Sequence, residues 1–145
     1  MADLLCAQEY AALAAQLKFP TQAFIDGTFQ PSASGETFKT TNPATDEVLA
    51  EIAACNAADV DRAVASARAA YKDGRWRTLP PSRRKSILLK FADLLEANAH
   101  ELATMESLDS GKPIRDCEAI DLPETIRTIK WHARRHDDEK ISPAV

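Results

Sequence analysis

The sequence has little cysteine and no long apolar run, and both absences restrict what the protein can be. Its 145 residues include three cysteines, Cys6, Cys55 and Cys117, which are too few and too scattered for a disulfide framework. This usage indicates a reducing compartment, so we expect a cytoplasmic protein. No apolar stretch approaches the ~18–20 residues that a membrane span needs, and the N-terminal residues lack the basic start of a secretory signal. We expect no membrane partner.

An excess of basic residues is also absent. Lys and Arg number 18 and Asp and Glu number 22, which gives a net charge of −4 and disfavours a nucleic-acid module. One basic cluster flanks Trp76, and its members are Arg75, Arg77, Arg83, Arg84 and Lys85. Basic and aromatic side chains together can bind nucleic acid. We favour a solvated helix start in which arginine stems cover the indole, and we expect no nucleic-acid partner.

The first third of the chain changes from a helical pattern to a strand pattern. Residues 3–18 are rich in Ala and Leu, with Asp3 as a possible cap and Pro20 as the end, so we interpret residues 1–20 as an N-terminal helical arm. Residues 23–54 are β-prone, and Asp26-Gly27 is a strong hairpin signal. Turns at 31–36 and 42–47 separate the runs. Together they predict a small antiparallel sheet of three or four strands.

The rest of the chain has helical spacing. One helix is predicted from Asn56, as its N-cap, to Gly74, and a second from Pro80 along an apolar stripe to the break at Gly111. A last helix is predicted to begin at Pro123, with Ile126, Ile129 and Ala133 facing inward. We therefore predict an α+β unit that consists of a small β unit and about four helices. The Rossmann pattern, in which a Gly-rich turn joins a strand to a helix, is not found in the sequence.

The residues by themselves do not make an active site. None of the three cysteines lies next to a histidine or a Gly-rich turn in the sequence, so we interpret them as structural. His132 and His136 are four residues apart and could share a metal, but no third ligand is nearby, and we favour an exposed helix end. Lys112 follows Gly111, as a lysine follows a glycine in a phosphate loop, but the likeness is superficial. A helix C-cap at Gly111 accounts for the pattern. The pattern looks like part of something larger.

Four segments nevertheless resemble a known family. They are FIDGTFQ, TTNPATDEVLAEIA, ADVDRAVASARAAYKDGRW, and the run from PPSRRKSILLK to LDSGKPI. Their order and gaps resemble the opening of the NAD(P)-dependent aldehyde dehydrogenases over about residues 22–135. The N-P-A-T and L-D-S-G-K-P turns are the most specific pieces. The segment IRDCEAIDLPETIRTIKWHA is similar to the branch that acts on γ-glutamyl-γ-aminobutyraldehyde and related aminoaldehydes.

The resemblance implies an α/β fold of which residues 21–145 are the first, incomplete part of the cofactor-binding domain. It implies that the Rossmann-like nucleotide site, the catalytic cysteine and the general-base glutamate come later, so we assign no catalytic and no cofactor-binding residue here. The complete protein would oxidise a small aldehyde, such as an aminoaldehyde, to the acid with NAD or NADP, by thiolate attack, hydride transfer and hydrolysis. It would form a homo-oligomer, and this chain alone would be inactive.

The resemblance also implies two sites in this segment. A monovalent cation, K⁺ or Na⁺, would be held in part by Thr40, Thr41 and Asp109, with a further ligand from beyond residue 145. The helix after G-K-P would line the substrate entrance, with Ile120, Asp121 and Glu124 near the mouth. The two carboxylates there would attract a cationic aminoaldehyde. A solvated acidic helix start is the alternative explanation for them.

A second function class stays open on the sequence. The chain could be a stand-alone interaction module that pairs with a partner chain through the face that the remainder of the fold covers in the family. Both hypotheses predict a large exposed apolar surface.

Overall fold

The computed structural model describes residues 4–135, in which a helix and a β unit precede a series of helices. In chain order the elements are α1 (Ala7–Ala14), β1 (Ala23–Ile25), β2 (Thr28–Gln30), β3 (Thr37–Thr41), β4 (Val48–Ala53), α2 (Ala57–Lys72), α3 (Pro81–Ala97), α4 (Ala99–Ser110), α5 (Ile114–Asp116), a π-turn (Cys117–Asp121) and α6 (Leu122–Arg135). This order confirms the α+β arrangement. Within the described residues, no helix has the length and apolarity that crossing a bilayer requires.

The helix at the start of the chain is shorter than the sequence predicts. The pattern predicts a helix over 3–18, whereas α1 covers only Ala7–Ala14. Its N-cap is Cys6, whose backbone N–H donates a 2.8 Å hydrogen bond to the Glu9 carboxylate. The expected cap, Asp3, lies outside the described residues. The helical spacing of apolar residues extends beyond α1 because Ala and Leu tolerate many conformations. The cap interaction decides where the helix starts.

The strands form two separate ribbons, so the expectation of one sheet of three or four strands is wrong. β1 pairs with β2, and β3 pairs with β4, each pair antiparallel. The Asp26-Gly27 hairpin is confirmed, since both residues have positive φ, 53° and 78°, as a tight two-residue turn requires. The segment between the ribbons is bound to α2, since the Ala33 N–H donates to the Asp59 carboxylate at 2.9 Å.

The predicted start and stop of α2 are confirmed. The Asn56 side chain accepts a 2.9 Å bond from the Ala58 N–H, and Asp59 accepts one of 2.9 Å from the Asn56 N–H, which makes a capping box. Two interactions lower the pKa of Asp59. The larger is the hydrogen bond from the Asn56 backbone, and the next is the bond from the Arg62 guanidinium. The helix ends at Lys72, and Gly74 then takes a φ of 78°.

The long apolar stripe between Pro80 and Gly111 belongs to two helices, where the sequence predicts one. The break is at Asn98, whose φ of −114° and ψ of 24° leave the helical region. The Asn98 side-chain amide donates a 2.8 Å bond to the Leu94 carbonyl. Side chains of this kind compete with the backbone for helical carbonyls, and apolar periodicity does not report that competition.

The last helix also begins earlier than predicted. The sequence predicts a start at Pro123, but the backbone is helical from Ile114 and passes through the π-turn into α6. A proline in a helix removes one N–H donor and crowds the preceding turn. The wider π-turn directly before it provides room for the ring. The inward side of α6 is as predicted, since Ala133 is buried and Ile126 and Ile129 are half-buried.

The core is built from small side chains where the helices cross. Ala92 of α3, Ala103 of α4, Cys117 of the π-turn and Ala133 of α6 are fully buried, and α3 packs along α6. Small residues at these positions let the helix backbones approach closely. Many large apolar side chains stay exposed among the described residues, and they include Phe24, Phe29, Val60, Val64, Tyr71, Ile87, Phe91, Leu94 and Trp131. Such a surface is typical of a segment that packs against further polypeptide.

Candidate functional site

The turn after α4 brings two of the sequence motifs into contact. Gly111 ends α4 with a φ of 74°, and a Cβ atom placed on it would lie 2.8 Å from Cγ of Pro43. Ser107 Oγ donates a 2.7 Å bond to the Lys112 carbonyl and closes the turn. The N-P-A-T turn and the S-G-K-P turn therefore form one corner of the molecule. Both candidate sites that the sequence predicts lie beside this corner.

The candidate cation ligands Thr40 and Asp109 are in direct contact. Thr40 Oγ1 donates a 2.7 Å hydrogen bond to Asp109 Oδ1, although the two residues are 69 positions apart in the chain. Thr41 follows after a β-bulge and pairs with Val48. The end of β3 and the last turn of α4 thus place a hydroxyl and a carboxylate side by side. Oxygen donors of this kind fit a hard alkali cation.

The candidate entrance residues lie on the π-turn and the first turn of α6. Ile120 is 54% exposed, so its side chain is available to a ligand. Asp121 is half-buried and forms an ion pair with the ammonium of Lys112, from the corner described above. The Asp121 carboxylate raises the pKa of Lys112 through this hydrogen bond. The charge of Asp121 is therefore neutralised within the fold.

Glu124 is held much less firmly. Its carboxylate accepts a 2.7 Å bond from Arg127, and both side chains are more than half exposed. Exposed pairs of this kind contribute little, about 0–1 kcal/mol, and salt screens them. Of the two candidate entrance carboxylates, Glu124 is the more exposed.

Sequence reasoning missed the most buried carboxylate of this region. Glu118 lies in the π-turn and is 2% exposed. The Tyr10 hydroxyl donates a hydrogen bond to Glu118 Oε2, and His100 Nδ1 lies against Oε1, an ion pair when the imidazole is protonated. Burial, followed by the bond to Glu118, raises the pKa of Tyr10 to about 12. The only sequence signal was its position next to Cys117, a residue type that is often buried.

A cleft of about 790 Å³ opens beside Glu118 and His100. Leu122 and Ile126 contribute its apolar lining, and the side chain of Trp131 flanks them. The basic residues Arg127, Lys130 and Arg134 of α6 border the opening. One of them, Lys130, is paired across to Glu96 of α3 at 2.7 Å. The π-turn and α6 therefore carry both the entrance candidates and one wall of this cleft.

The buried one of the three thiols lacks the lowered pKa that a nucleophile needs. Cys6 and Cys55 are exposed and Cys117 is buried, all unpaired. Burial, followed by the negative charges of Glu106 and Asp121, raises the pKa of Cys117, whereas a reactive cysteine needs a lowered one. Cys117, Glu106 and Asp121 could each offer one ligand atom to a metal, but the Lys112 ammonium already occupies Asp121.

Two further groups noted in the sequence have structural contacts. Arg77 lies over the ring of Tyr71, 5.5 Å from its centroid, and Arg75 pairs with Asp73 at 2.5 Å, so these arginines fasten the end of α2 to the following loop. His132 lies on the exposed side of α6 against Trp131, with ring centroids 4.7 Å apart. Its possible metal-sharing partner, His136, lies outside the described residues.

Comparison with known proteins identifies the family. The model of the aldehyde dehydrogenase family matches residues 29–142. The chain belongs to the aldehyde dehydrogenase family. The predicted resemblance is thereby confirmed, and the fold seen here is a portion of that family's fold.

Comparison with individual relatives shows what share of their length this chain spans. Aminoacetaldehyde dehydrogenase of Pseudomonas aeruginosa is 59% identical over 137 residues, 94% of this chain and 28% of that protein. The crystal structure of γ-glutamyl-γ-aminobutyraldehyde dehydrogenase from Burkholderia cenocepacia superposes with a TM-score of 0.91 at 38% identity, over 97% of this chain and 29% of that one. An indole-3-acetaldehyde dehydrogenase complexed with NAD⁺ gives a TM-score of 0.91 at 40% identity, over 98% and 29%. The chain thus spans less than a third of each.

Proposed function

We propose that this chain supplies the N-terminal portion of an enzyme that oxidises a small aldehyde to the carboxylic acid with NAD or NADP. The observation that carries the proposal is the 59% identity to aminoacetaldehyde dehydrogenase across 94% of the chain. The similarity to a γ-glutamyl-γ-aminobutyraldehyde dehydrogenase supports an aminoaldehyde as the substrate class. The three unpaired thiols suit a reducing compartment, which we take to be the cytoplasm.

We propose that none of the described residues binds the nucleotide. The dinucleotide-binding and P-loop motifs place a Gly-rich turn at the start of a helix. Gly27 and Gly35 lie in turns of the β region, and Gly74 and Gly111 follow the ends of α2 and α4. The proposal therefore assigns the cofactor, the catalytic cysteine and the general base to the rest of the enzyme, and no chemical step to this chain.

The exposed apolar side chains support a role as part of a larger fold. α2 leaves Val60, Val64 and Tyr71 exposed, and α3 leaves Phe91 and Leu94 exposed. Burial of apolar surface contributes about 25 cal/mol per Å², so contact with the remaining three quarters of the enzyme would stabilise these helices. We also propose that the complete enzyme is a homo-oligomer.

The cation proposal concerns the corner between β3 and α4. Thr40, Thr41 and Asp109 would provide part of the oxygen ligands of K⁺ or Na⁺, which the contact between Thr40 and Asp109 supports. The cation would supply charge that fixes this corner, and the remaining ligands would come from the rest of the enzyme. Ile120, Asp121 and Glu124 would line the substrate entrance, with Glu124 as the carboxylate that attracts a cationic aldehyde.

A chimera tests the proposed function directly. In it, this chain replaces the segment that it matches in the Pseudomonas aeruginosa aminoacetaldehyde dehydrogenase. We expect aldehyde-dependent reduction of NAD or NADP by the chimera and none by the 145-residue chain alone. A folded chimera without activity, or a pure chain that oxidises aldehydes by itself, would contradict the proposal.

The exposed apolar surface also favours the second candidate function, an interaction module that pairs with a different protein. The rings of Phe24 and Phe29 lie on the surface of the first ribbon with centroids 5.0 Å apart, where a partner could cover them. The chimera separates the two functions. An active chimera requires the chain to fit the remainder of the enzyme, whereas a dedicated partner surface has no reason to match it.

A further inference from the structure

A single buried carboxylate joins three elements of the chain. Glu118 is among the largest fully buried side chains of the described residues, and it lies in the π-turn. A carboxylate in the interior destabilises the fold unless hydrogen bonds and opposite charge compensate it. Its two compensating partners come from elsewhere: Tyr10 from α1 and His100 from the start of α4. Burial of Glu118 therefore depends on the docking of both helices.

The contacts around the carboxylate form one connected cluster. The Tyr10 hydroxyl that donates to Glu118 also accepts a 3.3 Å bond from the Leu5 N–H, which fixes the approach to α1. The Tyr10 and His100 rings meet edge to face with centroids 6.5 Å apart. We name Tyr10, Glu118 and His100 the Glu118 cluster.

The π-turn is the part of the fold most sensitive to this cluster. A π-turn holds one more residue than α-helical geometry accommodates, and such turns are short and less stable than the α-helix. Each residue of an α-helix turns the chain by about 100°. If the extra residue were drawn into regular helix, Ile120 and Asp121 would rotate by about that angle relative to α6. Lys112 holds the far end of the turn through Asp121, and Glu118 holds its beginning.

We propose that Glu118 is a positioning residue that, through Tyr10 and His100, holds the π-turn in the conformation that presents Ile120 and Asp121 to the substrate. This inference rests on the proposed function, since it takes those two residues as the entrance. The N-terminal helix then affects aldehyde selectivity without contacting the aldehyde. Neither Tyr10 nor Glu118 reacts with substrate or cofactor in this role.

The test uses the chimera with Tyr10→Phe, Glu118→Ala and Glu118→Gln, and with Tyr71→Phe as the matched control at the tyrosine outside the Glu118 cluster. Loss of the Tyr10 hydroxyl bond should raise KM for a bulky aldehyde relative to a small one about five-fold, with kcat nearly unchanged. Glu118→Ala should raise the same KM ratio by at least as much. Glu118→Gln, which keeps the size and an acceptor for Tyr10, should stay within about two-fold of the parent.

Amide hydrogen exchange across residues 117–122 gives the local readout. We expect faster exchange there in Tyr10→Phe and Glu118→Ala, and no change in Tyr71→Phe. A lower melting temperature with unchanged KM ratio and unchanged exchange in this segment would overturn the inference. If the parent chimera folds but is inactive, the proposed function fails, and exchange alone then decides whether Glu118 holds the turn.

Discussion

Tyr10 connects the N-terminal helix to a buried carboxylate, and its ionisation should therefore affect stability. Its pKa is raised from the ordinary value of 10.0 to about 12, first by burial and then by the bond to Glu118. A raised pKa means that the folded state holds the phenolic proton more tightly than the unfolded state. The stabilisation is fully present below about pH 10 and is lost as the pH rises towards about 12.

Urea unfolding of the chimera across this alkaline range measures that loss. We expect the free energy of unfolding to decline from about pH 10 upward in the parent and to decline less in Tyr10→Phe. Parallel curves for the two proteins would show that the Tyr10 hydroxyl is not buried in solution.

Glu124 provides a test of electrostatic attraction at the proposed entrance. Its pair with Arg127 is exposed, so the carboxylate can still interact with an arriving cation. In Glu124→Gln we expect KM for a cationic aminoaldehyde to rise about two- to five-fold, and KM for a neutral aldehyde of similar size to stay unchanged. The difference should shrink at high salt. An equal change for both aldehydes would mean that the side chain acts through shape alone.

Residue-level prediction succeeded where the information is local. Asn56 and Gly111 act as caps because short-range hydrogen bonds and backbone conformation determine their roles. Glu118 was missed because its partners are far away, and Tyr10 is 108 positions distant. The contact between Thr40 and Asp109 was anticipated only through the family resemblance, since no periodicity relates a strand end to a helix end.

At the scale of elements, the corner between the two turns should be sensitive to one added methyl group. Gly111→Ala places Cβ 2.8 Å from Pro43 Cγ in a left-handed conformation, so we expect a loss of about 2–4 kcal/mol in the free energy of unfolding. Gly35→Ala is the matched control. Gly35 also has a positive φ, 72°, but a Cβ there meets nothing within 4 Å, so the loss should be about 1–2 kcal/mol.

Urea or thermal unfolding of the two chimera variants, side by side, measures the difference. Equal losses would show that the contact with Pro43 does not constrain the corner. The same comparison reports on the candidate cation site, because Asp109 lies two residues before Gly111.

Several element boundaries depended on information that a single sequence does not carry. The order of helices and strands followed from a change in apolar spacing, from two residues to 3.6. The attachment of the segment between the ribbons to α2 was not predictable, because Ala33 and Asp59 are 26 positions apart. The break at Asn98 and the π-turn before Pro123 follow from hydrogen-bond competition and ring crowding inside apolar stripes that look continuous.

At the scale of the whole molecule, many large apolar side chains are exposed, and the chain spans only part of its relatives' length. The two observations agree with each other. The match to the aminoacetaldehyde dehydrogenase covers 94% of this chain and 28% of that relative. The fully buried apolar side chains of the core are mostly alanines, while phenylalanines and valines remain at the surface. A core of that composition is typical of one layer of a larger fold, and the chimera experiment asks whether the other layers fit it.

The two-stranded ribbons have a consequence for how this segment is made. A ribbon of two strands leaves backbone donors and acceptors along its outer sides, which an extended segment can bind. During synthesis these sides would be available for pairing between neighbouring nascent chains on one messenger RNA. Early covering of these sides, by further polypeptide or by a chaperone at the ribosome exit, would then raise the yield of folded protein.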